Sequence, residues 1–356
     1  MRALFLSTNT PDAAYVRYRA LQYFPALESA GIACTVRHVF DPSLEGLIYR
    51  PGKGGEKAAR LGAGALRRLA HVLSARRYDV VVLLREAFLV GPPLWEALLA
   101  LEGRRYVLDL DDAVWEGYDS PTYGRLARWL KCAWKTRQVL KMARRVVAGN
   151  AYIANYVRGY NDNVTIVPTV VDTTQYRPAP LRDGVPTLGW IGSHSTAQYV
   201  APLLPVLARL ARRTRFRLRL VGAGCHFDLP GVELQNDVWR EATEIEDVRS
   251  FDIGLFPLVE NVWSRGKSGF KAVQYGAVGI PTVASPVTTN RDIVLDGETG
   301  FWADSPELWH DRLLRLIEDG ALRRRLGSAA RVRIEAHYSL AAHAPRVVEL
   351  IRAASD

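Results

Sequence analysis

Cationic and small residues gather in the last third of the chain, in a pattern that could hold an anion. Ser268 and Gly269 stand where a helical pattern begins after a buried strand, and Arg265 and Lys267 lie just before that point. Lys271 follows inside the helix. Unbonded amides at a helix N-terminus, a residue without a side chain and nearby cations together favour a phosphate group. The pattern predicts an anion site, although an ordinary helix with solvated lysines would carry the same residues.

A second loop with this character follows the apolar run that ends at Ile191. It contains Gly192, Ser193 and His194 and leads into another helical pattern. Its backbone amides would point beyond the carboxyl end of the strand, which suits an anion. Ser193 could also serve only as the N-cap of the helix, and the two roles are compatible. His194 is a further candidate ligand at this position.

Three aspartates, Asp109, Asp111 and Asp112, stand at or just past the end of another apolar run. Carboxylates this close repel one another unless a cation or a bound proton relieves them. The spacing of Asp109 and Asp111 is compatible with a metal site. Asp111 or Asp112 could instead orient a hydroxyl group or accept its proton. Turn formation and helix capping are a third interpretation, and the residues alone leave all three open.

The elements that must position these residues alternate between apolar strands and helical patterns along the whole chain. Strands without polar positions are typical of parallel sheets covered on both faces. Residues 173–186 contain three prolines and no periodicity, which indicates a linker. The pattern therefore predicts two doubly wound α/β domains, residues 1–172 and 187–356. Ligands of such sheets bind beyond the carboxyl ends of the strands, so a cleft between facing domains is the expected site.

Hydrophobic periodicity also predicts the bounds of individual elements. Strands are predicted at residues 3–7, 79–84, 106–110, 187–191, 253–256 and 282–284. Helices are predicted at residues 13–30, 57–75, 123–143, 197–212, 309–318 and 322–337.

Four ordered motifs resemble those of the family-4 glycosyltransferases of the GT-B superfamily. Residues 274–285, QYGAVGIPTVAS, resemble the family's EAMA-G-PVVAS stretch, and residues 296–301 resemble its DG-TG-L segment. Residues 250–257 resemble its ADI---PS segment, and residues 167–172 its IP-GVD stretch. The resemblance covers nearly the whole chain. It implies the GT-B fold, with two Rossmann-like domains that face each other across a cleft and final helices that pack back on the N-terminal domain.

The resemblance also implies an activity: transfer of a sugar from a UDP- or GDP-sugar to an acceptor hydroxyl, with retention and without a metal or other cofactor. The acceptor would be a glycan, a lipid or a small molecule on the N-terminal domain. Asn9, Arg17 and Arg19 would border it, although the two arginines also suit an ordinary helix. Asp111 or Asp112 would be catalytic on that side. The donor-binding set would be Gly192, Ser193, His194, Arg265, Lys267, Ser268, Gly269, Phe270, Lys271 and Gln274.

The sequence departs from the family at the donor site. Gln274 replaces the glutamate that holds the donor ribose, and the family's other glutamate would fall near Gly266. The usual arginine and lysine after the first C-terminal strand are also missing, so Arg265, Lys267 and Lys271 would supply the positive charge. Two alternatives therefore stay open: a non-catalytic sugar-nucleotide binder and a nucleotide-sugar epimerase, which shares this two-domain architecture.

Positive charge concentrates in the first half of the chain. Residues 1–178 hold 25 basic and 16 acidic side chains, whereas residues 179–356 hold 22 and 21. Residues 121–146 carry eight lysines and arginines and no acid, around an apolar stripe that includes Trp129 and Trp134. Such a segment predicts contact of residues 123–145 with an anionic membrane surface, the alternative being a sheet-covering helix with a solvated basic face. No nucleic-acid reader motif is present, so nucleic acid is not expected as a partner.

The remaining composition indicates a cytoplasmic protein, peripheral to the membrane at most. The longest apolar runs are about five residues, far short of the roughly 20 that cross a bilayer. Asn9 and Pro11 interrupt the N-terminus too early for a signal peptide. The three cysteines are far apart in sequence and predict neither a disulfide framework nor a zinc site.

Overall fold

The computed structural model divides the chain into two compact units. It describes residues 1–48, 52–103, 106–116, 129–178, 182 and 184–355. Unit 1 comprises Met1–Thr169, Gly266–Ser268 and His343–Asp356, and unit 2 comprises Val170–Arg265 and Gly269–Ala342. Each unit has its own six-stranded sheet and its own apolar core.

The sheet of unit 1 is parallel throughout, with strand order β2-β1-β3-β4-β5-β6. Its strands are β1 (Arg2–Ser7), β2 (Ala33–His38), β3 (Val80–Leu84), β4 (Val107–Leu110), β5 (Arg145–Ala148) and β6 (Val164–Ile166). The strand order reverses between β1 and β3, so the loops that follow these two strands flank the topological switch point.

The helices of unit 1 cover the buried faces of its sheet. Among the described residues they are α1 (Ala14–Arg19), α2 (Phe24–Ser29), α3 (Pro42–Ile48), α4 (Gly54–Ser74), α5 (Leu94–Leu101), α6 (Lys135–Met142) and α7 (Ala151–Arg158), with 3-10 turns at Leu21–Tyr23 and Ala75–Arg77. Leu4, Leu83 and Leu108 of the strands pack with Val139 and Val157 of the helices in one apolar cluster. Burial of these side chains is the main force that holds helices and sheet together.

The sheet of unit 2 is also parallel, with strand order β12-β11-β10-β7-β8-β9. Its strands are β7 (Thr187–Ile191), β8 (Arg217–Val221), β9 (Glu233–Asp237), β10 (Ile253–Phe256), β11 (Thr282–Ala284) and β12 (Gly300–Trp302). Here the order reverses at β7, which lies between β8 and β10. The loops that follow β7 and β10 therefore flank the switch point of this unit.

The helices of unit 2 surround a core centred on the fully buried Trp190. They are α8 (His194–Ala197), α9 (Leu204–Ala211), α10 (Glu244–Arg249), α11 (Val262–Arg265), α12 (Phe270–Ala277), α13 (Thr289–Ile293), α14 (Pro306–Glu318), α15 (Gly320–His337) and α16 (Leu340–Arg352), with 3-10 turns at Ala201–Leu203 and Glu241–Thr243. The last helix, α16, begins in unit 2 and ends in unit 1.

Prolines divide two of the predicted helices. The helix predicted at residues 13–30 is α1, a 3-10 turn and α2, and Pro25 lies in the first turn of α2. The helix predicted at residues 197–212 is likewise divided, because Pro202 and Pro205 each open a new helical turn. Proline has no amide hydrogen to donate to the preceding turn, so it suits the start of a helix and interrupts a continuous one.

The continuous helix predicted at residues 123–143 is also wrong in its described part. Residues 123–128 lie outside the described residues. Residues 129–131 are helical, but Cys132 has a φ of 48°, and α6 begins only at Lys135. A left-handed residue cannot continue a right-handed helix. No helix in the part of the chain that the structure describes is both long and apolar enough to span a membrane.

Candidate functional site

A buried ion pair stands at the carboxyl end of the sheet in unit 1. Arg19 binds Asp109 with two hydrogen bonds, Nε to Oδ1 at 2.9 Å and Nη2 to Oδ2 at 2.7 Å, and its Nη1 donates to the Val167 carbonyl at 2.7 Å. Burial raises the pKa of Asp109, and the Arg19 guanidinium opposes that rise. Arg19 thus links α1 to β4 and to the residue that follows β6, and its predicted contact with an acceptor stays a prediction.

Arg85 neutralises the other two aspartates, and the sequence analysis did not single it out. Its Nε donates to Asp111 Oδ1 at 2.6 Å, and its Nη2 donates to Asp111 Oδ2 at 2.7 Å and to Asp112 Oδ2 at 3.0 Å. Burial would raise the pKa of Asp111, but the charge and hydrogen bonds of Arg85 lower it overall. Arg85 has a left-handed backbone, with a φ of 69°. Only the position of this arginine directly after a fully apolar strand could have indicated its importance.

Asp112 is the most accessible of the three carboxylates. Its side chain is 17% exposed, and its Oδ1 lies 3.6 Å from Lys267 Nζ. Lys267 was predicted to bind the donor, and that role stays a prediction. In this structure its ammonium group faces a carboxylate of unit 1. Among the described residues, no group of three or more histidines, cysteines, aspartates or glutamates is placed to hold a metal ion.

The segment that carries Lys267 packs closely on the loops after β4 and β5. Asn150 donates from Nδ2 to the carbonyls of Gly266 and Lys267, at 3.4 and 3.2 Å. A Cβ at Gly266 would lie 2.3 Å from the Cβ of Ala113. A side chain therefore does not fit at Gly266 without movement, which explains why no glutamate stands at this position.

The loop after β1 is organised by the hydroxyl of Tyr15. That oxygen lies 3.0 Å from Ser7 Oγ and 3.1 Å from Thr8 Oγ1, and it accepts from the amide of Asn9 at 3.2 Å. The centre of the Tyr15 ring lies 4.2 Å from Cζ of Arg85. The switch point of unit 1 thus brings Asn9 together with the residues around Arg85.

Arg17, the third predicted acceptor residue, makes local contacts. Its Nε donates to the Asp12 carbonyl at 3.2 Å, and its Cζ lies 4.8 Å from the centre of the Tyr18 ring. Its predicted role in binding the acceptor stays a prediction.

Two loops at the carboxyl edge of unit 2 touch each other. Gly222, after β8, has a φ of 77°, and a Cβ there would lie 2.3 Å from the carbonyl oxygen of Gly192, after β7. Ser193 and Thr196 form a reciprocal capping box at the start of α8. His194 is exposed, and its Cβ approaches Gly224 of the second loop. The predicted residues Gly192, Ser193 and His194 therefore share one polar, accessible edge.

Lys271 occupies the switch point of unit 2. Its Nζ lies 5.5 Å from the ring centre of Trp190, near the end of β7, and 5.2 Å from that of Phe256, at the end of β10. These distances are typical of cation–π contacts. Gly269, with a φ of 68°, is the N-cap of α12, which carries Lys271. A cation and a helix start thus stand beside the loops that flank the switch point.

Gln274 lies in a buried polar group and is only 3% exposed. Its Nε2 donates to the Tyr176 hydroxyl at 2.9 Å and to Glu244 Oε1 at 2.6 Å. Both partners are also buried. The predicted contact with a donor ribose stays a prediction. Glu244 and Tyr176 were not found from the sequence, because no motif links them to Gln274.

The remaining predicted donor residues fall in both units. Arg265 forms an exposed ion pair with Glu260, at 3.2 Å. Lys267 and Ser268 group with unit 1, whereas Arg265 and Phe270 group with unit 2. The structure thus brings the set together only in part: the loop after β7 and Lys271 share the edge of unit 2.

A comparison with known protein families finds one match, almost entirely within unit 2. Residues 185–319 match the family model described as glycosyl transferases group 1. That segment makes up most of unit 2 and less than half of the chain. No curated protein matches the sequence.

Several solved structures match over nearly the full length at low sequence identity. Sucrose-phosphate synthase from Thermosynechococcus elongatus has a TM-score of 0.70 at 15% identity, over 99% of this chain and 98% of that one. Anabaena Alr3699/HepE in complex with UDP and glucose has a TM-score of 0.70 at 14% identity, over 99% and 100%. A glycosyltransferase from Rickettsia africae has a TM-score of 0.71 at 13% identity, over 99% and 98%. The fold is GT-B. The predicted class, two Rossmann-like parallel-sheet domains, is confirmed.

Proposed function

We propose that this protein is a glycosyltransferase that moves a sugar from a nucleotide-sugar donor to an acceptor hydroxyl. The observation that carries the proposal is the match of residues 185–319 to the glycosyl transferases group 1 model. That segment contains the loops after β7 and β10, where a doubly wound sheet binds its ligand. Lys271 stands between those loops.

The proposed donor site is the edge formed by Gly192, Ser193, His194 and Lys271. Backbone amides after β7 and the ammonium of Lys271 would hold the diphosphate and stabilise its charge as it departs. Anabaena Alr3699/HepE has been solved with UDP and with UDP-glucose, which supports a UDP-sugar as the first donor to test. A GDP-sugar is the alternative.

The proposed acceptor site is the switch point of unit 1. Asp112 is the most accessible carboxylate there, and Arg85 and Lys267 hold it from two sides. It would orient the acceptor hydroxyl, with Asn9 as a neighbouring polar contact. Asp111 takes two hydrogen bonds from Arg85, so we assign it the positioning of that arginine.

Retention of configuration and independence of metal are the finer parts of the proposal, and they come from the family resemblance. Asp109 and Asp111, the pair with metal-like spacing, each face a guanidinium group. We therefore expect a chelator to leave the rate unchanged. Loss of activity in EDTA that manganese or magnesium restores would contradict this part.

The first experiment is a thermal-shift panel with UDP-, GDP-, ADP- and TDP-sugars, because a ligand of the native state raises apparent stability. The wild type should respond to one nucleotide class. Lys271→Ala should weaken that binding by about 1–3 kcal/mol, the usual size of a lost charge-assisted contact. Lys141→Ala, which removes an exposed lysine of unit 1, is the matched control and should bind as the wild type does.

Product analysis then separates the remaining functions. A transferase consumes the donor in proportion to added acceptor. An epimerase converts the donor without any acceptor, and a non-catalytic binder shows a shift without turnover. A thermal shift without turnover would be explained most simply by the absence of glutamate at positions 266 and 274.

A further inference from the structure

Large apolar side chains are exposed between β4 and β5 of unit 1. Trp129 is 76% exposed, Leu130 is 40% exposed and Trp134 is 54% exposed. We call these three residues the tryptophan surface. The amide of Gly91 donates to the Leu130 carbonyl at 2.8 Å, which holds the segment against the loop before α5. Leu94, at the start of α5, is also exposed. The surface is therefore held in place by the fold and accessible in the chain as described.

The tryptophan surface stands on a turn rather than on one long helix. The amide of Cys132 donates to the Trp129 carbonyl at 3.2 Å, and the amide of Lys135 donates to the Cys132 carbonyl at 2.8 Å. Cys132 has a left-handed backbone that ends the preceding helical turn. Trp129 and Trp134 thus lie on the two sides of this turn in sequence, and both are exposed.

The surface is flanked by positive charge. Arg137 and Lys141 are exposed on α6, three and seven positions after Trp134, so all three share one face of the helix. Lys131 is partly exposed on the turn. Residues 129–145 contain no acidic side chain. Lys135 is buried and pairs with Glu86 at 2.8 Å, so it is not part of this face.

We propose that the tryptophan surface and its flanking cations bind the surface of an anionic phospholipid bilayer. Indole rings favour the boundary between headgroups and acyl chains, where one end of the ring is apolar and the other is polar. Cations next to them are attracted to anionic headgroups. Two such signals together give more stable attachment than either alone.

The combination of features favours a bilayer over other partners. The core of a protein interface is depleted in charged residues, whereas here the cations lie among the exposed aromatic residues. Nucleic acid would account for the cations but gives the exposed Leu130 and Leu94 no apolar environment. A second copy of the chain would bring two faces with the same positive charge together.

The test uses full-length protein and sedimentation with vesicles. The probes are vesicles of phosphatidylcholine alone and of phosphatidylcholine mixed with phosphatidylglycerol. We expect binding to the mixed vesicles only, weakened by salt and accompanied by a blue shift of tryptophan emission. Trp129→Ala/Trp134→Ala and Lys131→Gln/Arg137→Gln/Lys141→Gln should each lose at least about tenfold in affinity, as several lost interfacial contacts imply.

Matched controls exclude a general effect of exposed residues. Val332→Ala removes an exposed apolar side chain of α15, and Arg212→Gln/Arg213→Gln removes two exposed cations of unit 2. Both should bind vesicles as the wild type does. All variants should keep the wild-type melting temperature and the wild-type shift with the nucleotide sugar, so failure here is distinct from failure of the proposed function.

Four results would overturn the proposal. Equal binding to both vesicle types, or binding that survives both sets of substitutions, would remove the role of this surface. A dimer in solution that needs Trp129 and Trp134 would assign it to a second copy. Binding of RNA or DNA with the same dependence on Lys131, Arg137 and Lys141, without vesicle binding, would assign it to nucleic acid.

Discussion

Arg85 compensates the negative charges of two aspartates at the carboxyl edge of the sheet in unit 1. It binds Asp111, which is buried, and Asp112, which is partly exposed. Removing one partner of a buried pair leaves the other charge without compensation, which usually costs about 3–5 kcal/mol. We expect Arg85→Met to lower the free energy of unfolding by that amount at pH 7, measured by chemical denaturation.

The pH dependence of this effect has a defined sign. Because Arg85 lowers the pKa of Asp111, the pair contributes its full stability above the ordinary aspartate pKa of about 3.9 and loses it as the pH falls through the lowered pKa. The difference between wild type and Arg85→Met should therefore shrink below pH 4. Arg76→Met is the control, since Arg76 forms an exposed pair with Glu102 worth about 1 kcal/mol at most. Equal losses in the two variants would contradict the prediction.

Replacement of Gln274 by glutamate tests the buried polar group around it. The family resemblance alone favours Gln274→Glu as a neutral change. The structure predicts a loss, because the new carboxylate would face Glu244, whose Oε1 lies 2.6 Å from Nε2 of Gln274. We expect a loss of about 1–3 kcal/mol, the cost of an unsatisfied buried polar group.

Exchange of the two side chains tests this directly. Gln274→Glu/Glu244→Gln again places one amide against one carboxylate, so it should recover most of the lost melting temperature. A double variant that is no more stable than Gln274→Glu would show that the pairing is not the cause. Donor affinity, measured on the same proteins, reports the ribose role separately.

Gln274 and Arg85 have partners that the sequence alone could not predict. Gln274 begins the motif at residues 274–285, but Tyr176 and Glu244 lie 98 and 30 positions away, and no spacing rule connects them. Arg85 is a single arginine after an apolar strand, which is a common arrangement. Its backbone conformation and its two carboxylate partners arise only when β3 and β4 pair.

Among the elements, α4 offers a matched pair of glycines. A Cβ at Gly62 would meet no atom within 4 Å, whereas a Cβ at Gly64 would lie 2.8 Å from Cγ1 of Val39. Glycine inside a helix costs about 1 kcal/mol relative to alanine. Gly62→Ala should therefore raise the free energy of unfolding by up to about 1 kcal/mol.

Gly64→Ala should lack this gain, because the added methyl crowds Val39, and overpacking usually costs about 1–3 kcal/mol. Chemical denaturation of the two variants under the same conditions makes the comparison. If both gain stability equally, the contact between α4 and Val39 is looser than the structure indicates.

Strands were predicted better than helices for a physical reason. The predictions at residues 187–191, 253–256 and 282–284 have the bounds of β7, β10 and β11, because a strand buried on both faces is a continuous apolar run. Helix ends depend on single residues such as Pro25 and Cys132. The apolar periodicity continues across these residues, so it does not predict that a helix ends there. The bounds of α16 were not predicted, and Pro345 lies inside that helix.

Acid should reduce the stability of the protein through His71 of α4. Burial, with Arg68 nearby, lowers the pKa of His71 to about 4, and its Nδ1 has no hydrogen-bond partner among the described residues. The unfolded chain, with a histidine pKa of about 6.5, then binds the proton more tightly. Stability is therefore complete above pH 6.5 and falls as the pH decreases toward 4.

We expect the melting temperature of His71→Gln to fall less than that of the wild type as the pH decreases from 7 to 4.5. His337→Gln, at an exposed position of α15, is the control and should follow the wild-type curve. Thermal melting at a series of pH values makes the measurement. Parallel curves for all three proteins would show that His71 is accessible to protons in the native state.

The C-terminal segment, residues 343–356, belongs to unit 1 by its contacts. Leu350 and Ile351 of α16 are buried, and Arg352 Nη2 donates to the Ala30 carbonyl at 2.6 Å in unit 1. Removal of residues 343–356 should destabilise unit 1, detected as faster amide hydrogen exchange in β1 and β2, and leave exchange in β7 unchanged. Equal acceleration in all three strands would contradict it.

Unit 1 is discontinuous in sequence, and this affects how chimeric enzymes could be built from it. Gly266–Ser268 belong to unit 1 by their contacts, although the chain on both sides belongs to unit 2. A graft that replaces residues 170–342 by the corresponding unit of another protein would also remove the tripeptide that Asn150 contacts. Chimeras should therefore retain Gly266, Lys267 and Ser268, and the graft should be made in two pieces around them.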